Sequence, residues 1–154
     1  MRVSVIGASD ATDEECTTAR TLGQVLAERN HTLVCGGLGG VMEAACRGAA
    51  QRDGETIGIL PGEDPDAANP YVGTAIATGL GHARNALVVL NGDAVIAIDG
   101  SGGTLSEIGF GNVYGRAIAG IGTHDVSGVT PVETPREAVD HVESVAHSSD
   151  LRDD

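Results

Sequence analysis

Residues Asp99–Gly111 read DGSGGTLSEIGFG: five glycines, one threonine and a single glutamate among apolar residues. A turn this poor in side chains, followed by a helix, suits an anion. Glycine lets backbone N–H groups come close, and a helix N-terminus favours negative charge. Glu107 stands three residues after Thr104. T-x-x-E is the spacing of a capping box, in which the glutamate serves only its own helix. The same spacing also puts Glu107 on the helical face of Thr104, towards the crevice. A carboxylate there would not hold phosphate; its chemistry would lie with a sugar hydroxyl, a water or developing positive charge. Both readings stand on the sequence alone. Arg84, in GHARNALVVL, is the second candidate. A cation near the start of a helix is disfavoured by about 0.3–1 kcal/mol, and Arg84 shares its face with Leu87 and Val88. An anionic ligand would offset both costs. The alternative is an arginine that reaches solvent or pairs with Glu107 or Asp99.

The elements that must position these residues alternate between strand and helix. RVSVIGAS reads as a strand ending in small residues. TDEECTTARTLGQVLAERN reads as a helix with Ala19, Leu22, Val25 and Leu26 on one face, acids in its first turn and Arg29–Asn30 at its end. HTLVCGG, ETIGILPG, VGTAIATGL, DAVIAID, RAIAGIG and GVTPV supply further strands. GGVMEAACRGAAQRD, GHARNALVVLNG and the segment after Asp99 supply further helices. TPREAVDHVESVAHSS closes the chain as a helix with Thr134 as N-cap, Pro135 at N1 and Glu137 at N3. EDPDAANPY breaks the periodicity as an exposed loop. The expected fold is α/β: one Rossmann-like domain over residues 1–147, a parallel sheet with helices on both faces, and a frayed tail at 148–154.

In such a sheet, ligands bind beyond the carboxyl ends of the strands. Three glycine-rich turns fall there: Gly7 and Ser9 in GAS, Gly36, Gly37 and Gly39 in GGLGG, and Gly100, Gly102 and Gly103 before Thr104. These are the candidate phosphate-binding residues. G-x-G-x-x-G is missing after the first strand, which disfavours ordinary NAD binding.

Composition narrows the chemistry further. The chain has 154 residues and a formal charge of −13, with nine arginines as its only Lys or Arg residues. Without lysine there is no Schiff-base residue for pyridoxal phosphate and no Walker A lysine. The acidity argues against a nucleic-acid backbone as partner and fits solubility in high salt. Cys16, Cys35 and Cys46 lack C-x-x-C spacing and read as small buried residues in a reducing compartment. No histidine pattern supports a metal site, so none is expected. No apolar run approaches the roughly 18 residues of a membrane span, and MRVSVIGAS does not read as a signal peptide. A cytoplasmic location and no membrane partner are the expectations.

GGLGGVMEAACRGA, GHARNALVVLNGDAVIAIDG and GSGGTLSEIG, in that order and spacing, resemble the Lonely-guy (LOG)-like proteins. These are small Rossmann-type proteins often misnamed lysine decarboxylases. The resemblance spans residues 1–122 and looks most like the small prokaryotic branch similar to molybdenum-cofactor carrier proteins. It implies a homodimer or higher homo-oligomer with a nucleotide pocket at the strand ends. In active enzymes of the group, an arginine and the glutamate of P-G-G-x-G-T-x-x-E hydrolyse the N-glycosidic bond of a nucleoside 5′-monophosphate, releasing base and ribose 5-phosphate. By position these are Arg84 and Glu107, with Gly100, Gly103 and Thr104 on the phosphate. The chain departs from the pattern: Asp99 replaces the proline, Ser101 the second glycine, and Asn85 the lysine that usually follows the arginine. Fold and pocket therefore carry over better than catalysis. The expected function is binding of a nucleotide or phosphorylated cofactor, a nucleoside monophosphate or a molybdopterin-type ligand. Phosphoribohydrolase activity is the alternative. Tyr71, in the loop before the fourth strand, is the aromatic residue expected to cover a ligand.

Overall fold

The computed structural model describes residues 1–150, with side chains to position 148. Seven strands form one parallel sheet: β1 (Arg2–Gly7), β2 (Thr32–Cys35), β3 (Thr56–Leu60), β4 (Thr74–Ala77), β5 (Ala94–Ile98), β6 (Ala117–Ile121) and β7 (Val129–Pro131). Their spatial order is β4-β3-β2-β1-β5-β6-β7. The order reverses between β1 and β5, which pair with Val5 opposite Ile96 and Gly7 opposite Ile98. Every residue of β5 is buried, as expected for a central parallel strand covered on both faces.

On one face, α1 (Asp13–Glu28) packs against both α2 (Val41–Ala50) and α5 (Pro135–Asp150), and α3 (Asn85–Leu90) and α4 (Gly102–Val113) pack together on the other. Local chemistry sets the helix ends. Thr12 and Glu15 cap α1 reciprocally. Thr134 Oγ1 accepts from the Glu137 N–H at the start of α5. Arg29 ends α1 and ties it to α5 through Asp140 and Glu143, at 2.7 and 2.9 Å. The expected tail at 148–154 falls partly on α5, which runs to Asp150; residues 151–154 lie outside the described residues. No helix among the described residues is long and apolar enough to cross a membrane.

Candidate functional site

A cavity of about 330 Å³ opens at the carboxyl ends of β1, β2, β3 and β5, beside the point where strand order reverses. Gly7 and Ser9 reach it from the β1 turn, Gly36 and Leu38 from the β2 turn, and Pro61 from the end of β3. Ser101, Gly103, Thr104 and Glu107 reach it from α4. Gly81, His82, Arg84 and Asn85 come from a 3₁₀ turn, Gly81–Arg84, and the start of α3. One wall is apolar, with Leu38, Met42 and Pro61; the other carries the polar groups.

The turn before α4 keeps that helix end open. Asp99 and Gly100 both adopt positive φ, at 47° and 116°. A Cβ on Gly100 would sit 2.3 Å from Thr104 Oγ1, so only glycine lets the threonine fold back over the turn. The Asp99 backbone is held on both sides: its N–H donates to Ile121 O and its carbonyl accepts from Thr123 Oγ1. Ser101 is the N-cap and makes no side-chain capping bond. The first N–H groups of a helix have no partner within it, and here no side chain among the described residues takes that place.

This geometry overturns the capping-box reading of Thr104 and Glu107. The helix begins at Gly102, so Thr104 is already its third residue and Glu107 lies well inside it. Glu107 is 8 % exposed, and its carboxylate accepts no hydrogen bond from the described residues. Burial pushes its pKa up to about 8, against the opposing pull of the Arg84 charge. It is the one buried carboxylate among the described residues.

Arg84 is 7 % exposed, so it is held inside the fold at the cavity and does not extend into bulk solvent. Its Nε donates to Ile59 O at 2.9 Å and its Nη2 to Gly36 O at 3.3 Å, while Nη1 bonds Asn85 Oδ1. The guanidinium therefore ties the ends of β2 and β3 to the start of α3. Burial lowers its pKa, and the charge of Glu107 and the Cys35 thiol opposes that. Asn85 also donates through Nδ2 to Ser106 Oγ at 3.2 Å, and Ser106 Oγ donates to Gly103 O at 2.6 Å. The residue in the usual lysine position thus links the arginine to α4.

Of the residues singled out in the sequence, Gly7, Ser9, Gly36, Gly103, Thr104, Arg84 and Glu107 line this one cavity. Gly37, Gly39, Gly100 and Gly102 do not line it. Gly37 accepts from the N–H of Asn69 and packs its backbone against Leu60. Asp99 faces away, in a separate groove with Thr12, Glu14 and Glu15, so its charge does not sit on the anion end of the cavity. The expectation for Tyr71 is also overturned. It lines a different cleft with Arg20 and Arg47, because Asn69 turns the loop by bonding Leu38 O and the Tyr71 N–H. No Phe, Tyr or Trp among the described residues lines the cavity. Sequence reasoning missed Pro61 and His82; PG at the end of β3 was the available signal, as a fourth strand-end turn. No group of three or more His, Cys, Asp or Glu among the described residues could hold a metal ion.

The model of the SLOG cluster4 family matches residues 1–149. The chain belongs to that family. Its members share the Rossmann-like, LOG-like architecture described above. An uncharacterized protein of Archaeoglobus fulgidus is 40 % identical over 142 residues, covering 92 % of this chain and 93 % of its own. Among solved structures, the molybdenum cofactor binding protein of the phototrophic bacterium Rippkaea orientalis is 33 % identical with a TM-score of 0.85, covering 94 % of this chain and 96 % of its own. A Moco carrier protein of Chlamydomonas reinhardtii is 27 % identical with a TM-score of 0.85, covering 96 % and 98 %.

Proposed function

We propose that this SLOG cluster4 protein binds a phosphorylated cofactor of molybdopterin type, or a nucleoside monophosphate, in the cavity between β1, β2 and α4. The observation that carries the reading is the meeting, in one cavity, of an uncapped α4 N-terminus with a buried arginine and an unpartnered buried carboxyl. The phosphate would lie against Ser9, Ser101, Gly103 and Thr104. The ring system would lie against Leu38, Met42 and Pro61. A cavity of about 330 Å³ is small for a ligand site, which favours one nucleotide-sized unit over a dinucleotide. The cofactor-binding neighbours named above support the molybdopterin-type ligand. The charge of −13 is unfavourable for a nucleic-acid partner.

The second reading, hydrolysis of a nucleoside monophosphate to base and ribose 5-phosphate, is favoured by Glu107. A neutral carboxyl near pH 7 is a competent general acid towards a leaving base. Calorimetry with AMP, GMP and the molybdenum cofactor, beside chromatography for free base, separates the readings. Binding without base release supports the carrier. Base release lost in Glu107→Ala supports the hydrolase. Neither binding nor release would remove both.

We further propose that the protein is a homodimer through α4. Leu105, Gly109 and Val113 form a stripe at four-residue spacing on its outer side. Val113 is 77 % exposed, and space beside Gly109 is open. Leu80 and Leu90 add exposed apolar surface from the segments around α3.

A further inference from the structure

We propose that Cys35 and Cys46 form a reversible dithiol–disulfide couple, with a hydroperoxide as oxidant, that clamps the end of β2 to α2 beside the cavity. The two sulfurs are 3.5 Å apart, Cys35 on the last residue of β2 and Cys46 in the middle of α2. A disulfide needs about 2.05 Å between them, so the sulfurs must close by about 1.5 Å. Both side chains already point at each other. The third cysteine, Cys16, sits half-buried in the separate cleft with Arg20 and Arg47.

The pair is chemically asymmetric. Cys35 Sγ accepts from the Gly37 N–H at 3.3 Å. The contact with Cys46 is the largest influence that lowers the Cys35 pKa; the Gly37 amide and the Arg84 charge act in the same direction, against burial and the Glu107 charge. The same contact and burial push the Cys46 thiol up. The Gly37 N–H and the Arg84 charge favour a thiolate at Cys35, which is therefore taken as the attacking sulfur, with Cys46 as the resolving thiol. Both sulfurs are fully buried and neither lines the cavity, although Gly36, next to Cys35, and Met42, one turn before Cys46, do. The oxidant must therefore be small and reach the pair through a local opening of the fold.

The steps balance. The Cys35 thiolate attacks one peroxide oxygen, the O–O bond breaks, and the other oxygen leaves as hydroxide, protonated to water. Cys35 is now a sulfenic acid. Cys46 Sγ attacks the Cys35 sulfur, the S–O bond breaks, and the hydroxyl leaves with the Cys46 proton as a second water. Two electrons pass from the thiol pair to the peroxide. The linkage shifts the turn bearing Gly36, whose carbonyl holds Arg84, so it also reaches the cavity.

The test uses the full chain treated with hydrogen peroxide, denatured, alkylated and cleaved after arginine. Cleavage after Arg29 and Arg47 puts both cysteines on one peptide, residues 30–47, and Cys16 on another, residues 3–20. The expected result is a 30–47 peptide lighter by two hydrogens and free of alkyl groups. Cys16 stays alkylated, and dithiothreitol restores two alkylation sites on 30–47. In Cys46→Ser, a sulfenic acid at Cys35 is expected to be trapped by dimedone. If 30–47 remains doubly alkylated at peroxide levels that oxidise Cys16, the proposal is overturned. The wild-type map decides this whether or not the variant folds, and without any ligand, so it is independent of the proposed cofactor.

Discussion

Arg84 and Glu107 line the same cavity and are both buried, yet no ion pair joins them among the described residues. The arginine spends its donors on Ile59 O, Gly36 O and Asn85, and the glutamate is left without a hydrogen-bond partner. A buried carboxylate that the nearby Arg84 charge only partly offsets is costly, so the fold favours the protonated acid.

That cost predicts how stability varies with pH. The Glu107 pKa rises from 4.5 to about 8 on folding. Its contribution is therefore complete below about pH 4.5. Between the two values the folded chain keeps a proton that the unfolded chain has lost, so stability falls as pH rises. Above about pH 8 the loss levels off. Glu107→Gln keeps the shape and cannot ionise. It is expected to be more stable than wild type near pH 9, by a few kcal/mol, with the difference vanishing towards pH 4. Urea midpoints across pH check this. A difference independent of pH would show that Glu107 is not a buried acid.

Arg84 should fail differently in two substitutions. Arg84→Ala strips donors from Ile59 O and Gly36 O, and a buried acceptor left without a partner costs about 1–3 kcal/mol. It also removes the charge that restrains the Glu107 pKa, which then rises further. Arg84→Lys keeps the charge but not the planar fork that reaches three acceptors. Both variants are expected to lose tenfold or more in affinity for the proposed phosphorylated ligand, and only Ala to raise the Glu107 titration midpoint. Calorimetry and a carboxyl-resolved NMR titration separate them. Full affinity in Arg84→Lys would mean that the charge alone suffices.

Much of this arrangement was legible in the sequence because it is local. Strand ends followed by glycine mark the turns after β1, β2 and β5, and hydrophobic periodicity marks α1 and α5. The convergence of Gly7, Gly36 and Gly103 on one cavity follows from parallel topology, since every strand then ends on the same edge. Other features depend on contacts that spacing does not encode. T-x-x-E looks like a cap until the helix is seen to start two residues before Thr104, where paired positive-φ residues at 99 and 100 set the boundary. Tyr71 is diverted by Asn69 reaching across to Leu38, thirty-one residues away in sequence. The Cys35–Cys46 approach joins a strand to a helix and leaves no trace in cysteine spacing.

Two glycines in the same GGLGG turn should behave oppositely. A Cβ on Gly36 would stand 2.7 Å from Arg84 Nη2 and 2.8 Å from Met42 Sδ, whereas one on Gly39 would meet nothing closer than Ser9 O at 3.9 Å. The Gly36 neighbours are ends of flexible side chains, so Gly36→Ala should fold while displacing the arginine and the methionine that line the cavity. Its expected effect is a tenfold or greater loss of ligand affinity with a modest fall in melting temperature. Gly39→Ala should leave affinity within about twofold, since backbone freedom alone changes stability by under about 1 kcal/mol. Thermal melts and calorimetry on the pair are the check. Equal losses in both would place the binding determinant in the turn backbone, not in the Arg84 position.

The α4 surface predicts the oligomeric state. A helix that is apolar on its outer side as well as its inner side is ordinarily covered, and Leu105 and Val113 are 43 % and 77 % exposed in the single chain. Gly109 between them leaves room for a second helix to come close. Wild-type protein is therefore expected to run as a dimer or larger assembly by light scattering. Val113→Asp would place two like charges near each other in a symmetric contact, on a chain already at −13. It is expected to give monomer at micromolar concentration, with the far-ultraviolet spectrum unchanged. Added salt screens such repulsion, so raising salt should recover part of the dimer in the variant. A wild-type monomer would remove the α4 interface. A dimer unaffected by Val113→Asp would move the contact elsewhere on the surface.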